Sequence, residues 1–267
     1  MLNDIHQQLD LLHLRKIRSI IADQIRDAQQ KKPSYGSFLL ELLHQEVIDQ
    51  KERSIQNRIR LSGLPERWTL ETYPFHLQKG ISKRHIETFA ELDFLDRAEN
   101  LIWIGPTGVG KTGLASAILL KALLSGRTAR MVKAQDLFDE FTASAADHST
   151  QRLIQRLSRV DVLLIDELGY VTPKPEPVNQ LFRLIDKRTR KKSTIITSNL
   201  GYQEWPTFLG NPNLTAALLN RLLERAHTLT FKNPVNLVGH SSKALDPAQP
   251  PPSTKPATKS STGSPTP

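Results

Sequence analysis

Apolar residues recur at three-and-four spacing through the start of the chain: Leu2, Ile5, Leu9 and Leu12, then Leu14, Ile17, Ile21 and Ile25. That period is helical and predicts a stripe turned toward a core. Lys31-Lys32-Pro33-Ser34-Tyr35-Gly36 interrupts it, and Ser37 is placed to cap a second helix starting at Phe38. Its apolar positions run on through Leu42, Leu43, Val47, Ile55 and Ile59. The expectation is a small helical domain over 1–62 and a linker over 63–80 punctuated by Pro65 and Pro74. From Ile81 the pattern changes. Short apolar runs at 101–104, 128–132, 160–167, 193–199 and 226–231 read as strands, and helical stretches separate them. Such alternation predicts a parallel sheet flanked by helices, an α/β domain over 81–245. Residues 246–267 hold seven prolines in 22 positions among Ser, Thr and two Lys, too little apolar surface to fold, and predict a disordered tail.

The chemistry concentrates at the strand ends. Gly105-Pro106-Thr107-Gly108-Val109-Gly110-Lys111-Thr112 fits the phosphate-binding pattern G-x-x-x-x-G-K-[ST], and it lies between a predicted strand and a predicted helix ending near Gly126. A glycine-rich turn there lets backbone N–H groups converge on phosphate oxygens at a helix N-terminus. Lys111 is expected to contact the β- and γ-phosphates of ATP, with the Thr112 hydroxyl on Mg²⁺. The run Val160-Asp161-Val162-Leu163-Leu164-Ile165-Asp166-Glu167 has the continuous apolar character of a strand buried on both faces. It closes on two carboxylates: Asp166 to hold Mg²⁺ through water, and Glu167 to polarise an attacking water. The next strand ends at Asn199, which can orient that water or merely help form a turn. Downstream, Leu218-Leu219-Asn220-Arg221-Leu222-Leu223-Glu224-Arg225 offers Arg221, with Arg225 in reserve, as an arginine that reaches a neighbouring subunit's γ-phosphate. These residues predict an ATPase with ATP at subunit interfaces of a homo-oligomer.

Charge points the same way without proving a partner. The chain carries a formal net charge of +9, which favours polyanions. Residues 1–78 are nearly neutral, with eleven Lys/Arg against ten Asp/Glu. Local runs stand out: Lys51, Arg53, Arg58 and Arg60; Lys121, Arg127, Arg130 and Lys133; and six cations between Arg183 and Lys192. They could contact the phosphates of double-stranded DNA, or be ordinary solvated helix surface. The absence of cysteine excludes disulfides and thiolate metal sites. No apolar run approaches the roughly 20 residues of a membrane span, and no signal peptide is evident, so a cytoplasmic protein with no membrane partner is expected.

Taken as a set, GPTGVGKT, VDVLLIDELGY, STIITSN with Trp205 shortly after, and ALLNRLLERAH resemble the IstB-like transposition helper ATPases of bacterial insertion sequences. These are AAA+ proteins of the initiator and helicase-loader clade, to which DnaC-type loaders are related. The resemblance runs from about Leu9 to Gly239. It implies an AAA+ fold with a minimal lid, an ATP-dependent DNA-bound oligomer, and a transposase as partner. A replicative helicase as partner and a non-hydrolysing, ATP-gated DNA-binding scaffold are the alternatives. The family usually has His where Gly113 stands, Asp where Asn220 stands, and a segment close to GESYR where Gly239-His240-Ser241-Ser242-Lys243 stands. By that resemblance Lys243 replaces the arginine that contacts nucleotide from the lid, keeping the charge but losing the planar fork.

Overall fold

The computed structural model describes residues 1–65, 68–78, 80–232 and 235–237. Three helices begin the chain: α1 (Leu2–Leu11), α2 (Arg15–Lys31) and α3 (Tyr35–Ser62). The single stripe expected over the first 25 residues is divided, because His13 takes a left-handed φ of 57° and turns the chain. The stripe survives the break. Ile5, Leu9, Leu14, Ile17, Ile21 and Ile25 pack with Phe38 and Leu42, whereas Leu12 is exposed. Helix α3 starts earlier than expected, since Ser34 Oγ accepts the Ser37 N–H at 3.1 Å and caps the helix in place of Ser37.

No side chain of its own caps α2. Glu46 of α3 supplies the cap instead. Its Oε2 accepts the N–H groups of Lys16 (2.8 Å) and Ile17 (3.0 Å), and its Oε1 accepts from Arg53 at 3.0 Å. A carboxylate only 2% exposed therefore meets the orphan donors and positive end of a neighbouring helix, which satisfies its charge.

At about 42 Å (28 residues at 1.5 Å each), α3 is long enough to leave the bundle. Ile55 and Ile59 join the core of the following domain, so the packing boundary lies inside the helix rather than after residue 62. Gly63 ends α3 at φ 78° beside the sheet; a Cβ there would lie 2.9 Å from the Met131 carbonyl oxygen.

Five strands form one parallel sheet in the order β2-β3-β4-β1-β5: β1 (Asn100–Ile104), β2 (Ala129–Lys133), β3 (Val162–Leu168), β4 (Ser193–Ser198) and β5 (Ala226–Thr230). Leu101, Trp103, Leu164 and Ile195 face one layer with α6 (Lys111–Leu124), α4 (Lys83–Ala90) and α5 (Asp93–Asp96). Ile102, Leu163, Ile165 and Ile196 face the other layer. That second layer holds α7 (Ala134–Ala146), α8 (Thr150–Arg159), α9 (Pro175–Arg188), α10 (Trp205–Leu209) and α11 (Pro212–Leu223). Trp103 and Trp205 are fully buried in these layers. The expected parallel sheet is thus present, with each strand within a residue or two of its expected bounds.

Arg188 closes the second layer. It is 1% exposed and donates to Thr194 Oγ1 (3.1 Å), Leu157 O (2.8 Å), Val160 O (2.9 Å) and Ser193 O. Burial pushes its guanidinium down to about 9. This cation of the 183–192 run is structural and unavailable to phosphate.

Substituting Glu46 by Ala should free Arg53 and leave the α2 N-terminus without acceptors, lowering the stability of the three-helix bundle by about 1–3 kcal/mol. Limited proteolysis should then cut α1–α2 before the sheet domain. Unchanged protease resistance would contradict the capping role.

Candidate nucleotide site

The sheet order places the loop after β1 beside the ends of β3 and β4, where parallel sheets hold ligands. Gly108 (φ 79°) and Gly110 (φ 88°) shape that loop, and α6 begins at Lys111. Gly110 has no room for a side chain: a Cβ would come within 2.8 Å of Tyr73 Oη and 2.9 Å of Leu237 Cδ1. Lys111 Nζ donates to the carbonyls of Gly105 and Pro106, both at 2.7 Å, and so spans the loop. Burial pushes the Lys111 ammonium down, while Asp166 and Glu167 pull it back up.

Beneath the loop, Thr112 Oγ1 lies 3.0 and 3.1 Å from the two Asp166 carboxylate oxygens. Thr197 Oγ1 donates to Asp166 Oδ1 at 2.5 Å and accepts the Glu167 N–H at 2.9 Å. Asp166 is completely buried, and burial raises its pKa against the two hydroxyl hydrogen bonds that lower it. Glu167 behaves differently. The register shifts between Ile165 and Leu168, and Glu167 takes φ 60°, so its side chain leaves the alternation of β3 and emerges partly exposed. There it pairs with Lys133 at 3.2 Å, an ion pair that raises the lysine's pKa.

A cavity of about 420 Å³ opens above these groups. Its walls include Thr107, Gly108, Gly110, Lys111, Thr112, Glu167 and Thr197. Trp68, Tyr73 and Leu237 add an apolar part to its lining, of the kind a nucleobase requires. Trp68 lies against Gly113, where a Cβ would meet the indole at 3.2–3.4 Å; a larger residue at 113 would displace it. Residues flanking the loop clamp it in place. Gln78 Nε2 donates to Val109 O at 3.1 Å and Leu237 N–H donates to Gly108 O at 2.7 Å. Tyr170 crosses its outer edge, with Oη 2.5 Å from Thr107 Oγ1.

Of the sequence candidates, the structure gathers Thr112, Asp166, Lys111 and Glu167 with the loop 105–110. Val109 and Pro106 take part through their carbonyls. Asn199 lies just beyond, packed against Gly169, where its Oδ1 is buried without a hydrogen-bond partner among the described residues. The β4 residue that touches the acidic pair is Thr197, which sequence reasoning passed over. Arg221 is outside its own chain's cavity, 3.3 Å from Asp186 and with its guanidinium over the Phe182 ring. Lys243 and the tail 246–267 lie outside the described residues.

The basic runs are largely engaged within the chain. Arg127 pairs with Asp96, Arg130 donates to Leu61 O, Arg190 pairs with Glu224, and Lys192 pairs with Asp161. Burial opposes ionisation of Asp161, yet the bonds from Lys192 and Thr128 hold it down at about 2.

A parallel five-stranded sheet with this loop, buried aspartate and adjacent glutamate defines an AAA+ P-loop protein. The chain matches the family of IstB-like ATP-binding proteins over residues 7–244. It is 34% identical over 237 residues to the insertion sequence IS5376 putative ATP-binding protein of Geobacillus stearothermophilus, covering 89% of this chain and 92% of the relative. With the insertion sequence IS21 putative ATP-binding protein of Pseudomonas aeruginosa it shares 32% identity, covering 86% and 87%. Among solved structures, the DnaC helicase loader has the same fold at 23% identity and a TM-score of 0.52, covering 62% of this chain and 97% of the other. AMPPCP-bound DnaA from Aquifex aeolicus is similar at 19% identity and a TM-score of 0.53, covering 64% and 53%. The chain belongs to the IstB-like ATP-binding protein family.

Because the fold raises the pKa of Asp166, this site favours folding most below the unfolded carboxylate pKa and loses that contribution as pH rises through the folded value. Asp166→Asn should therefore raise the melting temperature of the nucleotide-free protein at neutral pH, with a gain that shrinks toward pH 4. Each kcal/mol corresponds to roughly 2–4 °C in a protein of this size. A lower melting temperature without ligand would refute the electrostatic reading.

Proposed function

We propose that this chain is a Mg²⁺-dependent ATPase that assembles as a homo-oligomer on double-stranded DNA and serves a transposase. The observation that carries the catalytic part is the arrangement of Thr112, Asp166, Thr197 and Glu167 beneath the loop. Hydroxyl and buried carboxylate oxygens converge at one point, and a hard divalent cation with phosphate ligands requires such an oxygen set. Loop amides and Lys111 would hold the β- and γ-phosphates, while Trp68, Tyr73 and Leu237 receive the base. Mg²⁺, when bound, would neutralise phosphate charge.

Glu167 would accept a proton from water approaching the γ-phosphate, and its carboxylate is paired with Lys133. Release of that pair is then a condition for hydrolysis. The Asn199 Oδ1, without a partner among the described residues, would accept from the same water. Arg221 is too far along α11 to serve its own site, and half-exposed it would act on a neighbouring subunit's nucleotide. By the family resemblance, Lys243 would contact the nucleotide. ATP thereby bridges subunits and makes assembly depend on the nucleotide. The insertion-sequence names of the relatives support a transposase as partner. Likeness to a helicase loader extends to the fold alone.

Light scattering of the protein on duplex DNA should give large assemblies with ATP that dissolve with ADP; equal masses in both would sink the switch. Glu167→Gln should cut turnover by about 10²–10⁴-fold while leaving ATP-dependent assembly intact. Lys133→Ala, which frees Glu167, should raise basal turnover severalfold. If turnover is unaffected by Glu167→Gln, hydrolysis does not run through that carboxylate; absence of turnover in the wild type would make the chain an ATP-gated scaffold.

A further inference from the structure

A second cavity, of about 430 Å³, lies at the C-terminal end of α3, where the helix meets the edge strand β2 and the C-terminal half of α8. Arg58, Arg130 and Arg156 wall it, and Leu61, Leu157 and Val160 form part of its apolar lining. Three cations around one cavity repel each other, and the acids nearby do little to relieve it. Glu140 pairs with Arg156 at 3.2 Å on exposed surface, and Asp161 below Thr128 is already held by Lys192.

The guanidinium groups also have donors to spare. Arg58 donates to Ser54 Oγ (2.9 Å), while its Nε is buried without a hydrogen-bond partner among the described residues. Arg130 donates one N–H to Leu61 O at 2.8 Å. Each arginine carries five N–H donors, arranged as a fork that matches phosphate oxygens. The surface continues along α8 through Arg152, Arg156 and Arg159, spaced four and three residues apart while Leu153, Ile154 and Leu157 turn inward. That line spans roughly 10 Å, over which duplex DNA presents roughly six phosphates.

We propose that the cavity walled by Arg58, Arg130 and Arg156 is a seat for the phosphodiester backbone of duplex DNA, extended by Arg152 and Arg159 of α8. The proposal rests on the DNA-binding reading above and specifies which surface carries it. Charged groups take the phosphate, and the apolar lining accommodates the deoxyribose. Because the seat joins the end of the N-terminal helix to the sheet domain, DNA there touches both parts at once. An acidic peptide would satisfy the same charges, but the chain's net +9 and the line of arginines along α8 favour a long, regular polyanion.

The test is the salt dependence of binding to duplex DNA by the full chain in ATP, comparing wild type with Arg58→Gln/Arg156→Gln. Arg130 is kept because it fastens β2 to α3. Two lost phosphate contacts should flatten the slope of log K against log salt by about 1.8, so the affinity drop between 50 and 200 mM salt shrinks roughly tenfold. Affinity for ATP should be unchanged, and Arg58→Lys/Arg156→Lys should recover most of the slope. Equal slopes in wild type and the Gln variant would overturn the seat while leaving DNA binding intact. So would unchanged DNA binding with loss of the response to transposase, which would make the cavity a protein dock. A wild-type chain that does not bind duplex DNA would overturn the DNA reading and the seat together.

Discussion

Asp166 is a fully buried carboxylate whose ionised form is tolerated only because hydroxyls on two other elements point at it. Thr112 comes from the first turn of α6 and Thr197 from β4, so one carboxylate of β3 fixes α6, β3 and β4 relative to each other. The same Thr197 oxygen accepts the Glu167 N–H, steadying a backbone conformation costly for a glutamate. Buried charge is expensive when unpaired. Under the proposed function, that cost is concentrated at the point where a cation and phosphates would relieve it, so stability and ligand affinity would oppose each other there.

The fold was highly legible because its strands are short, apolar on both faces and separated by helical stretches; 160–167 could hardly be read otherwise. The P-loop was legible because geometry restricts it: Gly110 has no space for a side chain, and Lys111 and Thr112 follow from the turn into α6. What escaped were contacts between parts distant in sequence. Nothing in the spacing of 1–62 says that Glu46 caps α2, or that Ile55 and Ile59 belong to the next core. Nor does Trp68, in a linker without periodicity, announce that it lies on Gly113.

Charge was the least legible property. A run of six cations in ten residues suggested a phosphate-binding helix end, yet Arg188 is a core residue and Arg190 and Lys192 are paired across elements. Charges along a sequence say what a segment carries, and the neighbouring elements decide how much remains available. The arginines of α8, scattered among glutamines and leucines, look unremarkable in sequence and become a line only when the helix buries its other face.

Three tryptophans are present, and the fold has sorted them: Trp103 and Trp205 are sealed in the two layers, whereas Trp68 alone borders the cavity. The protein therefore carries its own optical probe. Changes in its indole emission on adding nucleotide report chiefly on the apolar lining beside Gly113, and the two buried rings supply a constant background against which occupancy can be followed without a label.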